Sequence, residues 1–142
     1  MKEIDLFGSI INHTMNKQII QTNNAPAPIG PYNQAVRAGD WLFISGQVAI
    51  DPTTGNLKMD TIQEETTMVM QNLQAILTEA GASFSNVVKT TIFLSDMALF
   101  TQVNEVYGAY FTADYPARET VAVKGLPKGV NVEISMIAVM GK

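Results

Sequence analysis

The segment Val130–Val139 is apolar at both of its alternating parities: Val132, Ile134, Met136 and Ala138 interleave with Ile137 and Val139. Successive side chains of a strand point to opposite faces, so a strand of this kind must be covered on both sides. Elsewhere the chain offers only two segments with helical periodicity. Thr61 to Ala80 places Ile62, Val69, Leu73, Ile76, Leu77 and Ala80 on one face. Thr61 with Glu64 makes a capping-box pattern at its start, and Gly81 suits the position after its end. Ser95-Asp96 offers N-cap chemistry for a second helix, Met97 to about Phe111, with Leu99, Val103, Val106, Tyr107 and Tyr110 inward.

Strand patterns fill the rest. Gln18–Gln21 precedes the proline- and asparagine-rich loop Thr22–Pro28, and the chain becomes extended again after Pro31. Arg37-Ala38-Gly39-Asp40 then turns into the apolar run Trp41–Val48, which reads as a β-hairpin. Asp51-Pro52-Thr53-Thr54-Gly55 is a further turn. Val87–Leu94 is β-branched with period two, and Gly125–Gly129 joins two last strands, Arg118–Val123 and Val130–Val139. The order β-β-β-α-β-α-β-β predicts an α+β domain with one mixed sheet of about six strands and two helices on one face. The second apolar face of that sheet predicts burial against another copy of the chain.

The 142 residues amount to one domain. Residues 15–142 form it, and residues 1–14 read as an N-terminal extension of unknown role. Met15-Asn16-Lys17 resembles a second start. With no cysteine there is no disulfide scaffold, thiolate metal site or thiol nucleophile, and the single histidine, His13, lies in that extension. Nine basic residues against thirteen acidic give a net charge of −4, with Lys and Arg scattered singly, which disfavours nucleic acid. No apolar run reaches the roughly 20 residues of a membrane span, and Glu3 and Asp5 do not suit a signal peptide. The expected location is the cytoplasm, with no membrane partner.

Arg118 opens a predicted strand after Pro116-Ala117. Its guanidinium is a planar, permanently charged fork for a carboxylate, and equally the kind of group found in a surface ion pair. Glu133 stands between Val132 and Ile134 with opposite parity to both. There it is either an acid–base group with a burial-raised pKa or a charge guarding a sheet edge. Ser45-Gly46 interrupts an apolar strand, marking a β-bulge or a place of close approach. Tyr32 can offer a phenol or simply pack, and Asn104 can bridge neighbouring chain or meet a ligand. Thr120 shares the strand face of Arg118.

Four blocks settle the combination. Ala27-Pro28-Ile29-Gly30-Pro31-Tyr32-Asn33-Gln34-Ala35, Phe43-Ile44-Ser45-Gly46-Gln47, Pro116-Ala117-Arg118-Glu119-Thr120-Val121 and Leu126-Pro127-Lys128-Gly129-Val130-Asn131-Val132-Glu133-Ile134 resemble the RidA (YjgF) family of reactive-intermediate deaminases. The likeness runs from about Lys17 to the C-terminus. It implies a chorismate-mutase-like fold and a homotrimer with clefts between subunits. The implied activity is that of a 2-iminobutanoate/2-iminopropanoate deaminase. Such an enzyme hydrolyses 2-aminoacrylate, 2-iminobutanoate and related products of pyridoxal-phosphate enzymes to 2-keto acids and ammonia, with no cofactor and no metal. By position Arg118 resembles the arginine that binds the substrate carboxylate, and Glu133 the acid that positions the attacking water. Tyr32, Ser45, Gly46, Asn104 and Thr120 resemble the residues lining the cleft. The family often has cysteine where this chain has Thr120, which bears on substrate preference. A non-catalytic module binding small carboxylates is the competing reading, in which Arg118 suffices and Glu133 is dispensable. RNA cleavage is a third, opposed by the acidic charge balance.

Overall fold

The computed structural model describes residues 2–4, 10–12 and 16–141. His13 and the alternative start at Met15 lie outside them. The strands are β1 (Lys2–Ile4), β2 (Ile10–Asn12), β3 (Lys17–Ile20), β4 (Ala35–Ala38), β5 (Trp41–Gln47), β6 (Val87–Leu94), β7 (Ala117–Ala122) and β8 (Val132–Val139). The helices are α1 (Ile62–Glu79) and α2 (Phe100–Gly108). β1 and β2 pair only with each other, so the extension adds a two-stranded ribbon outside the main sheet. The main sheet has six strands in the order β3-β4-β5-β8-β6-β7. It is mixed because α2 carries the chain from β6 to a parallel β7, whereas every other pairing is antiparallel.

The doubly apolar segment becomes β8, in the interior of the sheet between β5 and β6. Val132, Ile134 and Ala138 are fully buried, packed with Leu42, Ile92 and Leu94 beneath Val69, Leu73, Ile76 and Leu77 of α1. β8 starts at Val132 rather than Val130 because a 3₁₀ turn, Pro127–Gly129, occupies the preceding residues. Lys128 and Gly129 in it both take left-handed φ, 56° and 68°.

α1 starts as its sequence requires: the Thr61 hydroxyl accepts from the Glu64 N–H at 3.1 Å. It ends at Glu79 with Ala80 as its cap, and at Gly81 a φ of 78° lets the Ala82 N–H return to the Leu77 carbonyl. α2 is shorter than its periodicity predicts. Asp96 caps a 3₁₀ turn over Met97–Leu99, and the α-helix proper ends at Gly108. Beyond it Tyr110 and Phe111 turn out of register to pack edge-on against Phe84.

On the sheet face away from the helices, Trp41 pairs with Val139 and Phe43 with Ile137. Trp41 and Phe43 are still 50% and 46% exposed, and Val121 on β7 is 42% exposed. One chain leaves that apolar face uncovered, which agrees with the parity of β8.

Candidate functional site

The bulge expected at Ser45-Gly46 is present. Ile44 pairs with Met136 and Gln47 with Ile134, so two residues of β5 oppose Ser135 alone. The bulge also brings backbone close to a side chain. A Cβ added to Gly46 would collide with Oε1 of Glu133 and lie 2.9 Å from its Cδ. Gly46 thus makes the space that the Glu133 carboxylate occupies. Gly46→Ala is expected to evict that carboxylate into water while shifting the melting temperature by only about 1–3 °C. The check is a ¹³C NMR titration, in which Glu133 should return toward the ordinary carboxylate range.

Glu133, Gly46 and Tyr32 line one small cavity of about 60 Å³, closed at one side by Pro127. Burial raises the Glu133 pKa above the ordinary carboxylate value. Glu119, a carboxylate at the same sheet face, goes the other way. Hydrogen bonds from Lys89 and Thr91 lower its pKa, so of the two carboxyls only that of Glu133 is shifted upward. Tyr32 is 46% exposed, and its hydroxyl accepts from the Ile29 N–H at 3.2 Å. Ser45 does not line the cavity. Its hydroxyl donates to the Asn33 carbonyl at 2.6 Å and ties the bulge to the Tyr32 loop.

Gln34 was not among the predicted site residues. It is buried, accepts from the Thr22 N–H at 2.8 Å, and donates to the Thr22 and Pro26 carbonyls at 3.0 and 2.9 Å. This one amide holds the proline-rich loop that walls the cavity. A glutamine ahead of an apolar strand, after a loop without regular hydrogen bonds, was the available signal.

Arg118 lies elsewhere. It lines a second, open cavity of about 390 Å³ with Asn104, Tyr107, Gly108, Tyr115 and Pro116. Its guanidinium carbon sits 5.1 Å from the Tyr107 ring centroid and 5.6 Å from that of Phe100. Tyr107 is buried and donates its hydroxyl to Thr90 at 3.1 Å, and burial raises its pKa, so it stays a neutral platform. Among the described residues no carboxylate forms an ion pair with Arg118. The fork is held by ring faces and leaves its N–H donors for a ligand. Tyr107 was visible in the sequence only as a core position, and Phe100 not at all. Thr120, two residues on, has a buried hydroxyl without a hydrogen-bond partner among the described residues.

Register shows how the two groups relate. Arg118 pairs with Thr90 and Thr120 with Ile92, both on the helix-covered face of β6. Glu133 pairs with Phe93, which has the opposite parity. Within one chain, then, Arg118, Thr120 and Asn104 lie on one side of the sheet, and Glu133 on the other with Gly46 and Tyr32 beside it. The predicted site residues assemble into two halves that do not meet.

Among the described residues no three His, Cys, Asp or Glu side chains converge to hold a metal ion, and no helix is long and apolar enough to cross a membrane.

Residues 22–140 match the protein family described as Endoribonuclease L-PSP. A RutC family protein of Pyrococcus horikoshii is 50% identical over 122 residues, covering 86% of this chain and 97% of its own. The 2-iminobutanoate/2-iminopropanoate deaminase of Mus musculus is 48% identical over 125 residues, 88% of this chain and 93% of its own. The crystal structure of RidA from the Antarctic bacterium Psychrobacter sp. superposes with a TM-score of 0.84 at 42% identity, covering 87% of this chain and 99% of that one. The four sequence blocks, the mixed six-stranded sheet and the family match over residues 22–140 agree, and the chain belongs to the RidA (YjgF) family of reactive-intermediate deaminases.

Proposed function

We propose that the protein hydrolyses reactive 2-imino and 2-enamino acids, 2-aminoacrylate and 2-iminobutanoate among them, to 2-keto acids and ammonia. The reaction takes place in the cytoplasm, without metal or cofactor, in clefts where Arg118 of one subunit of a homotrimer faces Glu133 of the next. The observation that carries this reading is the split site. A guanidinium fork with no carboxylate partner among the described residues lies on one sheet face, and a half-buried acid of raised pKa lies on the other. The name of the mouse relative supports the substrate class, and the uncovered apolar sheet face supports assembly.

The chemistry asks little of the site. Arg118 forks the α-carboxylate, and backbone donors near Gly46 and Thr120 help orient it. An enamine first moves a proton to its β-carbon and becomes the imine. Glu133 takes one proton from a water as its oxygen attacks the C=N carbon. Glu133 returns that proton to nitrogen, giving the neutral carbinolamine; the hydroxyl proton then passes by way of Glu133 to the nitrogen as the C–N bond breaks, so that ammonia leaves and C=O forms. The net reaction adds one water and releases one ammonia.

Freshly generated 2-iminobutanoate is expected to release 2-ketobutyrate at least about tenfold faster than it does spontaneously, with the rate unchanged by EDTA. Ligand binding without any acceleration would instead make the chain a carboxylate-binding module. One arginine per half-site on a chain of net charge −4 is not a phosphate-tracking groove, so RNA is not the proposed substrate.

A further inference from the structure

Glu65, in the first turn of α1, is fully buried, yet the chemistry above makes no use of it. Its carboxylate takes three N–H donors from the start of β8. Oε2 accepts from the backbone N–H groups of Asn131 and Val132 at 2.8 and 2.9 Å, and Oε1 accepts from Nδ2 of Asn131 at 2.9 Å. Asn131 passes the restraint on. Its Oδ1 accepts from the Ser95 hydroxyl at 2.8 Å and its carbonyl from the Ser95 N–H at 2.9 Å, just where β6 ends. Val132 is the first residue of β8 and pairs with Leu94 at the end of β6, and Glu133 is the next along the strand.

We propose that Glu65 is a positioning residue for Glu133, fixing the start of β8 so that the Glu133 side chain enters the space beside Gly46.

Two features make such an anchor necessary. The turn immediately before it holds Lys128 at a φ of 56°, a conformation unfavourable for a residue with a Cβ. That turn contains Pro127, which walls the Glu133 cavity. Without a clamp the turn can relax and carry both the wall and the acid with it. The clamp also calls for an acceptor-only group, because backbone N–H groups of consecutive residues and a side-chain NH₂ all point at it. Glutamine in its place keeps one oxygen for the two backbone donors. Its own NH₂ then opposes Nδ2 of Asn131 until that amide turns over, with the Ser95 hydroxyl turning to accept.

This inference rests on the role proposed for Glu133, so its test reads Glu133 both with and without activity. Wild type, Glu65→Gln and Glu65→Leu are compared by steady-state hydrolysis of 2-iminobutanoate and by ¹³C NMR titration of the Glu133 carboxyl. Glu65→Leu is expected to lower kcat about 10- to 100-fold, because small misplacements of a reacting group are costly. KM should hold within about twofold, since Arg118 is on the other sheet face. The Glu133 titration should move toward the ordinary carboxylate range. Glu65→Gln should restore kcat to within about three- to tenfold of wild type, with a smaller movement of the titration. Wild-type kcat with an unmoved Glu133 titration in a folded Glu65→Leu overturns the proposal, as does a rise in KM alone. Should Glu65→Leu fail to fold, Glu65→Gln decides on the same two readouts. An inactive wild type would sink the deaminase reading instead, and the titration would still judge the positioning role.

Discussion

Replacing Arg118 by alanine should lower kcat/KM for 2-iminobutanoate about 100- to 1,000-fold, the equivalent of roughly 3–4 kcal/mol for two charge-assisted hydrogen bonds to one carboxylate. Most of the loss should fall in KM, because the carboxylate is the same group in substrate and transition state. Arg118→Lys separates charge from shape. It keeps the cation and loses the planar fork and its fit to the Tyr107 and Phe100 rings, so a loss of about 10- to 100-fold is expected. Coupled detection of the keto acid gives both numbers. An Arg118→Ala variant with wild-type kcat/KM would remove Arg118 from the site. The fold should survive either change, because Arg118 is only partly buried and contributes no ion pair among the described residues.

Much of the architecture was legible because local rules and tertiary needs coincide. Thr61 is an N-cap by type and by hydrogen bond, and β8 is apolar at both parities and sits in the sheet interior. Elements failed at their ends, where packing overrides periodicity. α2 stops at Gly108 while Tyr110 and Phe111 continue the apolar pattern, because their rings are used against Phe84. β8 loses Val130 and Asn131 to a turn and a carboxylate contact that no strand pattern announces. The site was legible as a set of residue types but not as an arrangement. Arg118 and Glu133 fall on opposite faces through the register of β6 with β7 and β8, and register is a long-range property. Gln34, Glu65 and Phe100 escaped notice for a related reason: each acts through partners that are distant in sequence or hidden in the fold.

The separation of the halves gives the other large prediction. Glu133→Gln keeps the shape of the side chain and removes its base, so kcat should fall about 100- to 1,000-fold with KM nearly unchanged. The kcat of wild type should rise with pH through a carboxyl pKa above the ordinary value, since the base works deprotonated and burial raises that pKa. Stability should move the other way. A folded-state pKa above the unfolded value means that the favourable contribution is complete in acid and lost as pH rises through the folded pKa. At neutral pH the half-buried carboxylate therefore costs stability, and Glu133→Gln should melt about 1–2 °C higher than wild type. That difference should vanish below the ordinary carboxylate pKa. Inactive Arg118→Ala and Glu133→Gln chains then test the cleft directly. If the two groups come from neighbouring subunits, unfolding and refolding an equal mixture pairs an intact Arg118 with an intact Glu133 in about a quarter of the clefts, and activity returns to about that fraction. If one chain supplied both groups, every cleft in the mixture would still lack one of them and the mixture would stay as inactive as its parents. Recovery on mixing thus reports which sheet faces meet, a question that the loss of activity in either variant alone leaves open.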